Sequence, residues 1–123
     1  MHLASDLTKL SDLQFDLVKE GVDYFKSFAE DKKTALPIFP TGFTAFGDKF
    51  VTAGLKNDKL IRLAVWNLSK DDITVDIPLK AKVKGVKVGY PANWQTDYCV
   101  CENALKVNFK KGQYARFFEI ELD

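Results

Sequence analysis

Leu60-Ile61-Arg62-Leu63-Ala64-Val65-Trp66-Asn67-Leu68 is the most apolar stretch of the chain, and it decides the fold class. Nearly continuous apolar character over about nine residues is typical of a strand covered on both faces, inside a sheet. Turn residues flank the stretch on both sides, at 56–59 and 69–72. We therefore predict a central β-strand here, and we place Trp66 in the core.

The segments around this strand also carry β signals. Further strands are predicted at 50–55, 73–77, 83–90, 105–109 and 114–122, and Pro78 ends the second of these. Short strands at this spacing, separated by turn residues, are typical of an antiparallel sandwich. The predicted fold is mainly β: an antiparallel β-sandwich of Greek-key type over residues 36–123, preceded by one long amphipathic α-helix.

The helix is predicted from Asp12 to about Phe28. Ser11 followed by Gln14 matches the capping box that starts many helices. The apolar residues of this segment cover about 200° of the helix circumference, whereas a helix on one core needs a stripe of little more than 100°. We therefore expect neighbours on two sides, and we interpret five apolar residues as interdomain packing positions: Phe15, Val18, Val22, Phe25 and Phe28.

The segment between the helix and the strands contains two prolines and a glycine within Leu36–Gly42. These residues exclude a helix. We interpret the segment as an extended linker that lies along the protein surface.

Composition excludes several classes of partner. The chain has 123 residues and a net charge of +1, with 18 basic and 17 acidic residues, so no electrostatic footprint indicates nucleic acid or an anionic membrane. No run approaches the length of about 18 apolar residues that a membrane helix needs. Met1–Ser5 lack the features of a signal peptide, and we favour a cytoplasmic location.

The sequence contains no pattern typical of an active site. The only histidine is His2, and neither phosphate-binding glycine loops nor zinc-ligand spacings occur. Cys99 and Cys101 are interpreted as small buried residues, and no metal or cofactor is predicted. Glu119 and Glu121 are expected to point outward on the last strand, where they serve solubility and edge protection.

Loop aromatics offer the one candidate for ligand binding. Trp94 lies in the polar segment 91–98, where an exposed ring can stack on a pyranose, with Tyr90 and Tyr98 nearby in sequence. The alternative is a tryptophan folded back over the edge of the sandwich, which is the commoner outcome. A stand-alone carbohydrate-binding module is thus one possible function.

Several segments taken together resemble the end of the catalytic barrel, the linker and the C-terminal domain of the glycoside hydrolase family 36 α-galactosidases. They occur in the family's order and cover nearly the whole chain: residues 2–7, 17–26, 36–42, 53–55, 62–66, 89–91 and 114–118.

The resemblance implies a non-catalytic C-terminal domain behind a catalytic (β/α)8 barrel. The family's aspartate nucleophile and aspartate acid/base belong to that barrel and precede this chain. Residues 1–35 then contain the last barrel helix and the start of the linker, and the barrel is the helix's second neighbour. Ser5 and Asp6 follow the last barrel strand, which makes Asp6 a candidate substrate contact although the family's Ser-Gly pattern is not kept there. Self-association through the helix is a third possibility.

Overall fold

The structure, a computed structural model, describes residues 6–123; His2 and Ser5 lie outside the described residues. After a single turn of 3-10 helix at Leu7–Lys9 comes helix α1, Asp12–Ser27, and a second 3-10 turn follows at Asp31–Lys33. Eight strands complete the fold: β1 Leu36–Ile38, β2 Phe50–Lys56, β3 Leu60–Asn67, β4 Ile73–Pro78, β5 Val83–Tyr90, β6 Asp97–Cys101, β7 Ala104–Phe109 and β8 Ala115–Leu122. The fold is mainly β with one preceding helix, as predicted.

The strands form two antiparallel sheets. Five strands lie in the order β1-β2-β3-β8-β5, and three lie in the order β4-β7-β6. The chain crosses between the sheets after β3, β4, β5 and β7, and β8 returns to lie between β3 and β5. Strand β3 therefore has a neighbour on each side, which confirms its predicted central position.

The core lies between the facing sides of the two sheets. Period-two alternation brings one side of each strand inward, as in β4, where Val75 and Ile77 are buried and the alternate residues, from Thr74 to Pro78, are exposed. The Tyr98 ring meets the Phe118 ring across the two sheets at a centroid distance of 5.3 Å. The buried cluster draws on both sheets: Ile61, Leu63, Val65, Val75, Ile77, Leu79, Leu105, Val107, Phe109, Phe118 and Ile120.

Helix α1 begins where the sequence predicts. The Ser11 backbone N–H donates to Gln14 Oε1 at 2.9 Å, and the Gln14 N–H donates to Ser11 Oγ at 3.3 Å. These two bonds are the predicted capping box. The boundary that the sequence places after residue 35 falls immediately before β1.

The prediction that Trp66 lies in the core is wrong. Ile61, Leu63 and Val65 point inward, so alternation turns Trp66 to the outer face of the five-stranded sheet, where it is 39% exposed. The nearly continuous apolar run predicted a strand buried on both faces of the sheet. Its outer face is apolar because α1 packs on part of that face.

The predicted burial of the two cysteines is also wrong. Tyr98 of β6 points into the core, so Cys99 and Cys101 point away from it, and both are exposed. The polar segment predicted at 91–98 is loop only as far as Thr96, since β6 begins at Asp97.

Two further expectations are corrected by strand pairing. The presumed linker contains β1, which pairs with β2 in the register Leu36↔Lys56 and Ile38↔Gly54. An edge strand tolerates Pro37, because one side of it has no ladder to complete. Strand β8 is an inner strand rather than an edge, and Glu119 on it is mostly buried instead of solvating a surface.

Candidate functional site

One side of α1 packs on the outer face of the five-stranded sheet. The ring centroids of Tyr24 and Phe28 lie 5.5 and 6.3 Å from that of Phe117 on β8. The Tyr90 hydroxyl donates to the carbonyl of Leu17 at 2.8 Å. The Ala92 N–H donates to a Glu20 carboxylate oxygen, also at 2.8 Å. Ring contacts and hydrogen bonds together therefore hold the helix against β5 and β8.

Two glycines permit this close approach. A Cβ on Gly89 would collide with the Tyr24 hydroxyl group, and a Cβ on Gly21 would meet the end of the Tyr90 ring at 3.1 Å. Each tyrosine thus lies over the glycine of the other element. Sequence reasoning missed this arrangement, whose only local signal is a tyrosine close to a glycine in each segment.

An ion-pair network lies beneath the helix, and sequence reasoning did not predict it either. Glu119 accepts a hydrogen bond from the Tyr24 hydroxyl at 3.0 Å and pairs with Lys87 Nζ at 2.8 Å. Arg62 Nε lies 3.8 Å from the same carboxylate, and Arg62 Nη1 pairs with Asp31 at 2.7 Å. The network joins the helix, the 3-10 turn after it and three strands.

Protonation in this network follows from its charges. Burial alone raises the pKa of the Glu119 carboxyl, but hydrogen bonds from Lys87 and Tyr24 and the charges of Lys87 and Arg62 together lower it below its ordinary value. Burial, reinforced by the charge of Glu119, raises the pKa of Tyr24 far above its ordinary value. The phenol therefore stays protonated and acts as a donor, and the carboxylate stays ionised.

The opposite flank of α1 carries most of the predicted interdomain packing residues. Phe15 is 49% exposed and Phe25 is 37% exposed, while Val18 and Val22 are half-buried. Phe28 differs, since it is 4% exposed and belongs to the contact with the sheet. Within residues 6–123, the chain's own sheet covers only part of the apolar arc of α1. Trp66 is a further exposed apolar side chain, and it lies on the same outer side of the sandwich.

Trp94 lies on a loop held by a buried arginine. Arg116 Nε donates to Thr96 Oγ1 at 2.7 Å, and Arg116 Nη2 donates to the Gln95 carbonyl at 3.2 Å. The guanidinium carbon of Arg116 lies 5.7 Å from the centre of the Trp94 ring, which remains 44% exposed. The ring is therefore held by cation–π contact on a fixed loop while much of its surface stays free.

The three predicted sugar-binding residues are not gathered into one pocket. Asp6 accepts hydrogen bonds from the backbone N–H and hydroxyl of Thr8 at 3.0 and 2.6 Å, and these bonds lower the pKa of its carboxyl. Tyr90 lies under α1 with its hydroxyl engaged by Leu17. Among the contacts of residues 6–123, no hydrogen bond or ring contact connects either residue with Trp94.

A second exposed apolar segment is the loop between β1 and β2. The Phe39 and Phe43 rings contact each other with centroids 4.7 Å apart, and both are exposed, as is Phe46. Asp48 accepts a hydrogen bond from the Ala45 N–H at 2.7 Å, which closes the tip of the loop.

No family model matches the chain, and no curated protein matches it. In the part of the chain that the structure describes, no helix has the length and apolar character needed to cross a membrane. What the chain does is therefore proposed from its own surfaces together with the resemblance of its sequence segments described above.

Proposed function

We propose that this chain is a non-catalytic C-terminal accessory domain of an α-galactosidase-like glycoside hydrolase, and that α1 packs between the sandwich and a catalytic (β/α)8 barrel. The observation that carries the proposal is the divided surface of α1. One side, with Tyr24 and Phe28, packs on the chain's own sheet, whereas the flank with Phe15 and Val22 has no comparable cover within residues 6–123.

Burial of that flank would favour docking. Complete burial of a valine or phenylalanine side chain contributes about 1.5–3 kcal/mol. Phe15, Val18 and Val22 recur at the spacing of one helix face, so a single flat or grooved partner surface can cover all three. A helix of the neighbouring barrel, packed alongside α1, is such a surface.

The carboxylate beneath the helix favours a structural role for this contact. A glycosidase general acid needs a pKa raised toward neutrality by an apolar environment. Glu119 is the carboxyl set deepest in the helix–sheet contact, and its neighbours instead lower its pKa. It is suited to holding the helix on the sheet, which leaves the catalytic carboxyl groups to the proposed barrel.

The test starts with the reading frame that encodes this chain. We expect the rest of the (β/α)8 barrel, with its two catalytic aspartates and without its last helix, to be encoded upstream of residue 1. That barrel, produced separately, is expected to bind the purified chain, and the double variant Phe15→Ser/Val22→Ser is expected to weaken binding at least about tenfold, equivalent to 1.4 kcal/mol. Isothermal calorimetry measures both affinities.

The matched control is the double variant Lys19→Ser/Asp23→Ser on the polar side of the same helix, which should bind the barrel as the unaltered chain does. A frame without a barrel would overturn the proposal. So would hydrolysis of aryl α-galactosides by the purified chain alone, or equal binding by both double variants. Light scattering of the free chain separately reports whether the flank instead pairs two copies.

A second candidate function is a carbohydrate-binding module that uses Trp94. The observation that favours it is the half-exposed ring on a loop anchored by Arg116, since rigid aromatic platforms are suited to stacking on a sugar ring. Titration of Trp66→Phe with galactosides and polysaccharides isolates the fluorescence of Trp94. A saturable change in this emission, together with a calorimetric binding signal that Trp94→Ala removes, would support this function, and a flat titration would rule it out.

A further inference from the structure

Two thiols lie side by side on the solvent-facing side of β6. The Sγ atoms of Cys99 and Cys101 are 3.7 Å apart, and both residues are exposed and free. Residues two apart on a strand share a face, but their side chains approach this closely only when both turn toward each other. Both cysteines are exposed on that face, so the pair is accessible to a ligand.

The sulfur separation matches that of two thiolates bound to one small cation. With metal–sulfur bonds of about 2.3 Å, two sulfur ligands lie about 3.8 Å apart at a tetrahedral angle and about 4.0 Å apart at the trigonal angle of a three-coordinate ion. The observed distance therefore requires almost no rearrangement of the strand or of the side-chain rotamers.

We propose that Cys99 and Cys101 chelate a monovalent thiophilic cation, with Cu(I) as the biological ion. Soft thiolate ligands select Cu(I) and zinc among biological metals. A stable zinc site needs four ligands, and residues 6–123 contain no group of three or more histidine, cysteine or acidic side chains placed to hold a metal ion. Cu(I) is satisfied by three sulfur ligands, so the pair together with one external thiol on the open side completes a trigonal site.

One cation lies beside the pair and can offset part of the charge of the complex. Binding replaces two thiol protons by one Cu(I), so the bis-thiolate complex carries one net negative charge and no electron is transferred. Lys106 lies directly opposite Cys99 in the β6–β7 register, and its Nζ is 3.6 Å from the Asp76 carboxylate. Asp97 on β6 is occupied by a hydrogen bond from Asn108 Nδ2 at 3.0 Å. Lys106 is therefore the cation best placed to offset the charge of the complex.

The experiment is an anaerobic titration of the full chain with Cu(I) against the chromogenic chelator bicinchoninate, after two free thiols per chain have been counted with Ellman's reagent. We expect one tightly bound Cu(I) per chain. Cys99→Ser and Cys101→Ser should each lower the affinity for Cu(I) about 10²–10⁴-fold, because the remaining thiolate then has no second thiolate held at high effective concentration beside it. Both positions are exposed, so neither variant should change the thermal midpoint.

Three results would overturn the proposal: no competition with bicinchoninate, two equivalent ions per chain, or single-cysteine variants that bind as tightly as the unaltered chain. A parallel titration with Zn(II) against a chelator of known affinity separates the two thiophilic ions. Tighter binding of Zn(II) than of Cu(I) would also overturn it.

Discussion

Tyr24 of α1 and Tyr90 of β5 lie stacked, with ring centroids 6.3 Å apart and ring planes inclined by 16°. Each ring covers the glycine of the opposite element, Gly89 under Tyr24 and Gly21 under Tyr90. The helix approaches the sheet this closely only because neither glycine carries a side chain. The stability of the helix–sheet contact should therefore be sensitive to single atoms at these positions.

Substitution of Gly89 by alanine should destabilise the protein. The new methyl group would collide with the end of the Tyr24 side chain, whose hydroxyl is held by Glu119. Overpacking of this kind costs about 1–3 kcal/mol. Gly85→Ala on the same strand is the matched control, since a Cβ there meets nothing within 4 Å. Urea unfolding followed by circular dichroism compares the two, and equal free energies of unfolding would contradict the proposed steric limit.

Removal of the Tyr90 hydroxyl should loosen the first half of α1. Tyr90→Phe keeps the ring stack but loses the 2.8 Å bond to the Leu17 carbonyl, which we expect to lower the free energy of unfolding by about 1 kcal/mol. Amide hydrogen exchange should quicken in the helix and stay unchanged in β4 and β7. Tyr114→Phe, at an exposed tyrosine, should change neither measurement.

Acid should weaken the protein partly through Glu119. Its folded-state pKa lies below the ordinary value of 4.5, so its stabilising contribution is present above pH 4.5 and is lost as the pH falls through the lower folded-state pKa. Glu119→Gln should therefore flatten the fall in unfolding free energy below pH 4.5. Glu121→Gln, at an exposed position on the same face of β8, should keep the original slope. Parallel acid profiles for all three proteins would exclude this role of Glu119.

The capping box should stabilise α1 measurably. Ser11→Ala removes the side-chain acceptor for the Gln14 N–H and is expected to cost about 1 kcal/mol of unfolding free energy. Ser11→Asp restores an acceptor and adds a negative charge at the positive end of the helix dipole, so it should recover the loss. Failure of the aspartate variant to recover stability would show that the serine acts by other means.

The sequence predicted the fold wherever hydrophobic periodicity is undisturbed. In β4 and β7 inward apolar residues alternate with outward polar ones, and their strands were placed within about a residue. Alternation is lost in β3, because α1 packs on the outer face of its sheet. Trp66 was consequently assigned to the core although it lies on that outer face.

The features that sequence reasoning missed depend on pairings between distant segments. Strand β1 has three residues and includes a proline, so its only strong evidence is its ladder with β2. Glu119 was expected to be a solvating charge because nothing local to β8 indicates that Tyr24, about 95 positions earlier, lies on it. The free flank of α1 could be anticipated, since the width of an apolar arc is a local property of the helix.

The insertion of β8 between β3 and β5 also sets the order in which the molecule can be completed. Strand β5 has no other partner in its sheet, so residues 83–90 remain without a ladder until the ribosome has released residues 115–122. Those residues include Phe117, on which Tyr24 and Phe28 rest. Helix α1, made before the strands, must therefore wait for β8, and during that interval the side that carries Tyr24 and Phe28 is available to chaperones.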